Sequence, residues 1–192
     1  MGHFFSNIIS CGFTLIKLSF IKLFHLRNLY FTPVTRFSPD VKVGVSDDSC
    51  LEIGKRVIAR SGAKLVATAG GKLTIGQGSG FGHFSIVVCR HSISIGKDVY
   101  CGPNTLIYDH DHDFRDKDGI RSRKYKCAPI SIGDGTWIGA NTVILRGTTI
   151  GKNCVIGAGS VVKGNVPDNT ILVQKRENIF IPVKEHGVAN DE

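Results

Sequence analysis

From residue 132 onward an aliphatic side chain recurs at every sixth position, at Ile132, Ile138, Ile144, Ile150, Ile156 and Val162, and Gly follows four of them, at Gly133, Gly139, Gly151 and Gly157. A helix repeats its faces about every 3.6 residues and a strand about every two, so neither sustains this beat. A short strand and a turn, repeated, does. Each inward aliphatic stacks on its counterpart in the next coil, and a small residue beside it permits the bend without a Cβ penalty. Hydrogen bonds then run from coil to coil, and the chain becomes a solenoid with a continuous apolar interior. The same step stands upstream at Ile53-Gly54, Ile75-Gly76 and Ile95-Gly96, and Ile95, Cys101 and Ile107 make one further six-residue run.

A chain of 192 residues falls within one domain of roughly 100 to 200 residues. With 42% hydrophobic and 21% charged residues it holds enough apolar surface for a core, which excludes general disorder. Its six Cys, at 11, 50, 89, 101, 127 and 154, form no C-x-x-C pair and point to neither a disulfide scaffold nor a zinc ribbon, so a reducing, cytoplasmic compartment is expected. The formal charge is +8, and half of that excess lies in residues 1–39, where Lys17, Lys22, Arg27 and Arg36 precede the first acidic residue, Asp40. That segment is rich in Phe, Ile and Leu but too often interrupted for a spanning helix. It also has no cation ahead of its apolar run, as a secretory signal requires. It is read as a helix that either lies in the headgroup layer of an anionic membrane, on its inner face, or packs on the main domain or a neighbouring subunit. No aromatic-rich basic motif accompanies the charge, and no nucleic-acid partner is expected.

The six-residue beat stops after Ile107 and resumes at Ile130, which leaves residues 108–129 as a polar excursion from the solenoid. Such insertions project from one face and carry function more often than the coils do. This one holds His110 and His112, interleaved with Asp109, Asp111 and Asp113. An imidazole with an ordinary pKa near 6.5 suits removal of a proton from an attacking hydroxyl, and Asp109 or Asp111 can hold its other ring nitrogen. Two His with interleaved Asp also raise a zinc site, with His83 as third ligand, but no metal is expected. His3, His25, His91 and His186 have no such setting.

These runs, together with the restart at Trp137-Ile138-Gly139, resemble the hexapeptide-repeat acyltransferases over roughly residues 50–173, and in particular the maltose and galactoside O-acetyltransferase branch. The resemblance implies an all-β fold, a left-handed parallel β-helix with coils of about 18 residues. The division expected is an N-terminal, mostly helical segment over 1–39, a β-helix over 40–173 with the 108–129 loop inserted, and a C-terminal tail over 174–192. The family's base is a His at the start of this loop, a little over twenty residues before W-I-G. His112 stands 25 residues before Trp137 and His110 stands 27, so the resemblance favours His112. It implies acetyl-CoA as donor, held between the subunits of a homotrimer. The matching donor positions are Trp137, Gly139, Ala140, Gly157 and Ala158, with Lys163 facing the phosphates; each Gly and Ala reads equally well as a corner of the solenoid. On the acceptor side the family's Asn is replaced by Gly82-His83-Phe84-Ser85, leaving His83, Ser85, Asn104 and Asp109 as candidates. The segment Leu172-Val173-Gln174-Lys175-Arg176-Glu177 departs from the family pattern at the adenine end.

The function so implied is O-acetylation of a sugar or lipid-linked oligosaccharide in cell-surface polysaccharide synthesis, for example of O-antigen. N-acetylation of an amino sugar on the same scaffold, a non-catalytic assembly or membrane module, and a zinc-dependent protein like the γ-carbonic anhydrases stand as the alternatives.

Overall fold

The computed structural model describes residues 2–181, with side chains from residue 9 onward; His186, the side chain of His3 and the last part of the expected tail lie outside them. Helix α1, Gly2–Phe24, leads into a left-handed parallel β-helix of triangular section. The first coil sets the pattern with strands Leu29–Tyr30, Arg36–Phe37 and Lys42–Val45, one on each face. Among the described residues the first and second faces each stack seven strands and the third face stacks six, all in parallel register. The β-helix therefore opens at Leu29, ahead of the boundary expected at residue 40.

Coil length is the main departure from the sequence reading. Leu29 lies beside Leu51, Leu51 beside Leu73, and Leu73 beside Ile93, so the early coils take 22, 22 and 20 residues. Only further on, where Ser131 lies beside Thr149, does a coil take the expected 18. The difference is strand length. Strands such as Cys50–Ile53 and Lys64–Ala67 run four residues, where Val143–Ile144 and Val155–Ile156 run two. Each longer strand sends two side chains inward, Leu51 with Ile53 and Leu65 with Ala67, because alternate residues of a strand share a face. A step of two is thereby inserted into the beat of six, which hides the repeat upstream of residue 95.

Inside, columns of buried side chains run the length of the solenoid. On the second face Phe37, Ala59, Phe81, Cys101, Ile138 and Ile156 stack one above another, large beside small at the start. Buried hydroxyls hold the corners: Ser79 Oγ donates to the Gly96 carbonyl (2.8 Å) and Thr136 Oγ1 to that of Gly151 (2.9 Å). The glycines after the aliphatic positions serve a different purpose from the one the sequence suggests. Gly102 and Gly139 keep ordinary negative φ, but a Cβ on Gly102 would lie 2.6 Å from the Ala140 nitrogen, and one on Gly139 2.5 Å from that of Ala158. The close approach of neighbouring coils, rather than the bend itself, demands glycine there. Positive φ falls instead one turn further on, at residues such as Asn104, Asn141 and Asn153, whose side chains tolerate it.

Helix α1 closes the open end of the solenoid. Thr14 Oγ1 accepts the Phe37 N–H at 2.8 Å and donates to the Ser10 carbonyl at 2.6 Å, while Leu18 is buried against the first coil. Lys17 Nζ donates to the carbonyls of Pro39, at 2.8 Å, and Val41. An edge strand that would otherwise offer unpaired backbone groups to another chain is thus covered.

Candidate functional site

The excursion over 108–129 leaves the corner between the third and first faces as an antiparallel hairpin. His110–His112 pairs with Tyr125–Cys127, so that His112 lies opposite Tyr125, and a short 3-10 helix, Gly119–Ser122, forms the tip. Two ion pairs lie within the loop: Lys124 meets Asp116 at 2.7 Å and Lys126 meets Asp113 at 3.0 Å. Arg146, from the next coil, reaches back to Asp111 at 2.6 Å. Exposed pairs of this kind contribute about 0 to 1 kcal/mol each, so they orient the hairpin more than they stabilise the fold.

At the base of the hairpin Asp109 is completely buried. Its Oδ2 accepts the N–H groups of His91 (2.7 Å) and Ser92 (2.9 Å), and its Oδ1 accepts that of Arg90 (2.9 Å). The Cys89 thiol lies 3.4 Å from Oδ2. Burial by itself would raise the pKa of this carboxyl, but the bonds from His110 and from the Arg90 and His91 N–H groups outweigh it and hold the group below the ordinary carboxylate range. Asp109 therefore stays an anion at the turn 89–92. The same anion pushes the Cys89 thiol up to about 12, after burial, which is the larger cause.

The remaining partner of Asp109 is His110, whose Nδ1 lies 3.0 Å from Oδ1. A carboxylate there takes a proton donated by Nδ1, which leaves the lone pair on Nε2. The His110 side chain is only 13% exposed and sits between the ring edges of Tyr108 (centroids 5.7 Å apart) and Tyr125 (5.4 Å). On Tyr125 also lie the His112 ring, at 4.6 Å, and the Arg90 guanidinium, 3.9 Å from the ring centre. His112 is exposed, and among the described residues no carboxylate bonds to it. An oriented imidazole thus belongs to His110, two residues before the position that the spacing to Trp137 favours.

The other candidates divide by their place on the triangle. Ser85 is buried and its hydroxyl donates to the Gly102 carbonyl at 3.1 Å, a bond between coils at the corner. Asp109 likewise has no exposed surface to offer an acceptor; it orients His110. His83 and Asn104 lie on the corner between the second and third faces, where Asn104 Nδ2 donates to Asn141 Oδ1 at 3.1 Å. Gly139, Ala140, Gly157 and Ala158 follow the second-face strands onto that same corner. Trp137 is 55% exposed on the second face, between Tyr100 and Val155. In a triangular section the second face is opposite the corner that bears the hairpin. One chain therefore does not bring Trp137 and the small residues to His110. Lys163 is exposed after Val162, which stacks on Ile144 as Ile144 stacks on Ile107, so it does share the hairpin's corner. Sequence spacing gave no sign of Arg90 or Tyr125; the first comes from the preceding coil and the second from the returning arm of the hairpin.

Comparison with known proteins agrees with this geometry. The bacterial transferase hexapeptide (six repeats) family matches residues 129–164. WbbJ of Escherichia coli K12, provisionally named a lipopolysaccharide biosynthesis O-acetyl transferase, is 28% identical over 136 residues, which cover 67% of this chain and 69% of WbbJ. Other curated relatives match over shorter stretches, and the chain spans 35 to 52% of the length of three of them. Among solved structures, the hexapeptide-repeat acetyltransferase VCA0836 of Vibrio cholerae in complex with acetyl coenzyme A is 25% identical, with a TM-score of 0.50 over 74% of this chain and 63% of that one. AntD, an N-acyltransferase of Bacillus cereus, shares the fold with a TM-score of 0.61 at 21% identity, over 71% of this chain and 73% of its own. With a solenoid of this register, a loop inserted at one corner and these relatives, the chain is similar to the hexapeptide-repeat acyltransferases in fold and in sequence.

Proposed function

We propose that the protein transfers an acetyl group from acetyl-CoA to a hydroxyl of a sugar, free or lipid-linked, in cell-surface polysaccharide biosynthesis. The observation that carries this reading is the buried Asp109 bonded to His110 Nδ1, on the one loop that leaves the coils. His110 Nε2 removes the proton of the acceptor hydroxyl as its oxygen attacks the thioester carbonyl carbon. A C–O bond forms, the C–S bond breaks, and the imidazolium returns its proton to the departing thiolate sulfur. Throughout, the Asp109 anion stabilises the charge that His110 acquires and keeps the ring in one orientation. Arg90, stacked on Tyr125 beside His110, is positioned to meet negative charge on the acceptor or on the developing oxyanion.

The donor supplies an activated acetyl group. For its site, the exposed Trp137 and the small residues Gly139, Ala140, Gly157 and Ala158 leave the coil backbone open to a long, thin arm, and Lys163 offers charge for phosphate. Trp137 and the small residues fit the donor but lie across the triangle from His110, whereas Lys163 shares the hairpin's corner, so the reading entails a homotrimer in which the second face of one subunit meets the hairpin corner of another.

Purified protein incubated with acetyl-CoA and a panel of sugars and nucleotide sugars, with release of free thiol followed, tests this. Acceptor-dependent release that falls about 100-fold or more in His110→Ala, and less than tenfold in His112→Ala, is expected. The reverse ranking would place the base at His112. Absence of both turnover and acetyl-CoA binding would refute the transferase reading.

A further inference from the structure

Helix α1 has two apolar faces, and the chain covers one of them. Ser10, Thr14, Leu18 and Ile21 turn toward the first coil, with Thr14 and Leu18 buried. On the opposite side Ile9, Phe13, Ile16, Phe20, Leu23 and Phe24 are exposed, Ile16 to 73% and Phe20 to 64%. At about 100° per residue these six fall within a strip about 100° wide, nearly opposite the buried Leu18. The outward face of a helix on a water-soluble domain is normally polar, so a continuous strip of six large apolar side chains marks an interaction surface. Leu26 and Tyr30 extend it, both exposed.

The charges beside this strip decide what covers it. No acidic residue occurs before Asp40, whereas Lys22 and Arg27 stand at and just beyond the helix end. Lys22 lies about 150° around the helix from the centre of the strip, with its Nζ 5.4 and 5.9 Å from the Tyr30 and Phe31 ring centres, and Arg27 is exposed beyond the helix end. A second copy laid on the strip would set cations near cations, while an anionic lipid surface presents the complementary charge. No described helix is long and apolar enough to cross a membrane. We infer that α1 is a lipid-docking surface: it lies flat on an anionic bilayer, with Ile9, Phe13, Ile16 and Phe20 in the headgroup–acyl boundary and the exposed Arg27 at the level of the phosphates. The inference is independent of the reading of His110.

Flotation of the full-length protein with vesicles tests it. Partition onto vesicles of about 30% phosphatidylglycerol in phosphatidylcholine should exceed that onto pure phosphatidylcholine by at least tenfold and fall as salt rises. Ile16→Asp with Phe20→Asp should lower it at least tenfold without moving the melting temperature, since both side chains are exposed, and Arg27→Glu should lower it severalfold. Failure to bind anionic vesicles, equal binding to both vesicle types, or undiminished binding by the double variant would overturn the inference. A fall in the oligomer mass of the double variant by light scattering, with wild-type protein indifferent to vesicles, would assign the strip to a second copy instead.

Discussion

Replacing Asp109 with Asn keeps the shape of the side chain and exchanges one acceptor oxygen for a donor NH2. The oxygen that remains is best used by His91 and Ser92, whose N–H groups lie 2.7 and 2.9 Å from Oδ2. The new NH2 then takes the place of Oδ1, where it faces the Arg90 N–H and His110 Nδ1. Two consequences follow. The Arg90 N–H loses its 2.9 Å bond and keeps only the 3.2 Å one to the remaining oxygen, which costs about 1 kcal/mol, and two charge-assisted bonds become neutral ones of roughly half the strength. A loss of about 3 kcal/mol of stability is expected. His110 Nδ1, now beside a donor, must accept, so its proton moves to Nε2 and the lone pair that serves as base is gone. Loss of a positioned general base lowers turnover by about 10²–10⁴-fold. Thiol release in Asp109→Asn, measured beside His110→Ala and a thermal melt, checks both. Turnover within tenfold of wild type, with His110→Ala still inactive, would refute the tautomer reasoning even if the melting temperature dropped as expected.

The same carboxylate predicts a pH response. Because its pKa is depressed in the folded protein, Asp109 contributes stability that is present above the ordinary carboxylate range and lost as pH falls through the lowered value, so the wild-type melting temperature should drop at low pH more steeply than that of Asp109→Asn. Gly102→Ala should cost at least 2 kcal/mol in a denaturant melt, since the new Cβ meets backbone 2.6 Å away, whereas Gly119→Ala, at φ 56° with open space around it, should cost about 1–2 kcal/mol for its backbone conformation alone. Thr14→Val removes the acceptor of the buried Phe37 N–H at a cost of about 1–3 kcal/mol, and limited proteolysis should then release α1 before it cuts the coils. In the native protein a thiol reagent should label the exposed Cys127 and spare Cys101, buried and pushed up to about 12, until denaturant is added.

The later half of the solenoid was legible because its coils carry two-residue strands, so one inward aliphatic every six residues is the whole signal. Upstream, strands such as Lys72–Ile75 and Ile86–Cys89 add a second inward residue two positions on, and the beat blurs into the alternation of any strand. For that reason the coil from Leu29 to Val45 went unseen. The loop and its two histidines were equally plain. What ranks them was not: the Asp109 carboxylate is fixed by the backbone of residues 90–92, from the coil below, and nothing in the linear spacing records that approach. The setting of Ser85 was hidden for a related reason, since a small polar residue at an inward corner reads the same whether its hydroxyl faces a ligand or, as here, the neighbouring coil.

The capped end of the solenoid has a consequence for what can be acylated. Neighbouring coils are spaced about 4.8 Å apart, and the hairpin departs after the fourth coil, so with the thickness of α1 included the His110 imidazole, the proposed base, stands on the order of 25 Å from the outer surface of the helix. With α1 flat on a bilayer, the coils become a gauge of height. If the acceptor is a lipid-linked glycan, as proposed, a hydroxyl on the sugar next to the lipid falls short of that mark, while one several residues along an extended chain meets it. Removing a whole early coil, from Leu51 to Lys72, would lower the mark by one strand spacing and shift the preferred acceptor toward shorter chains.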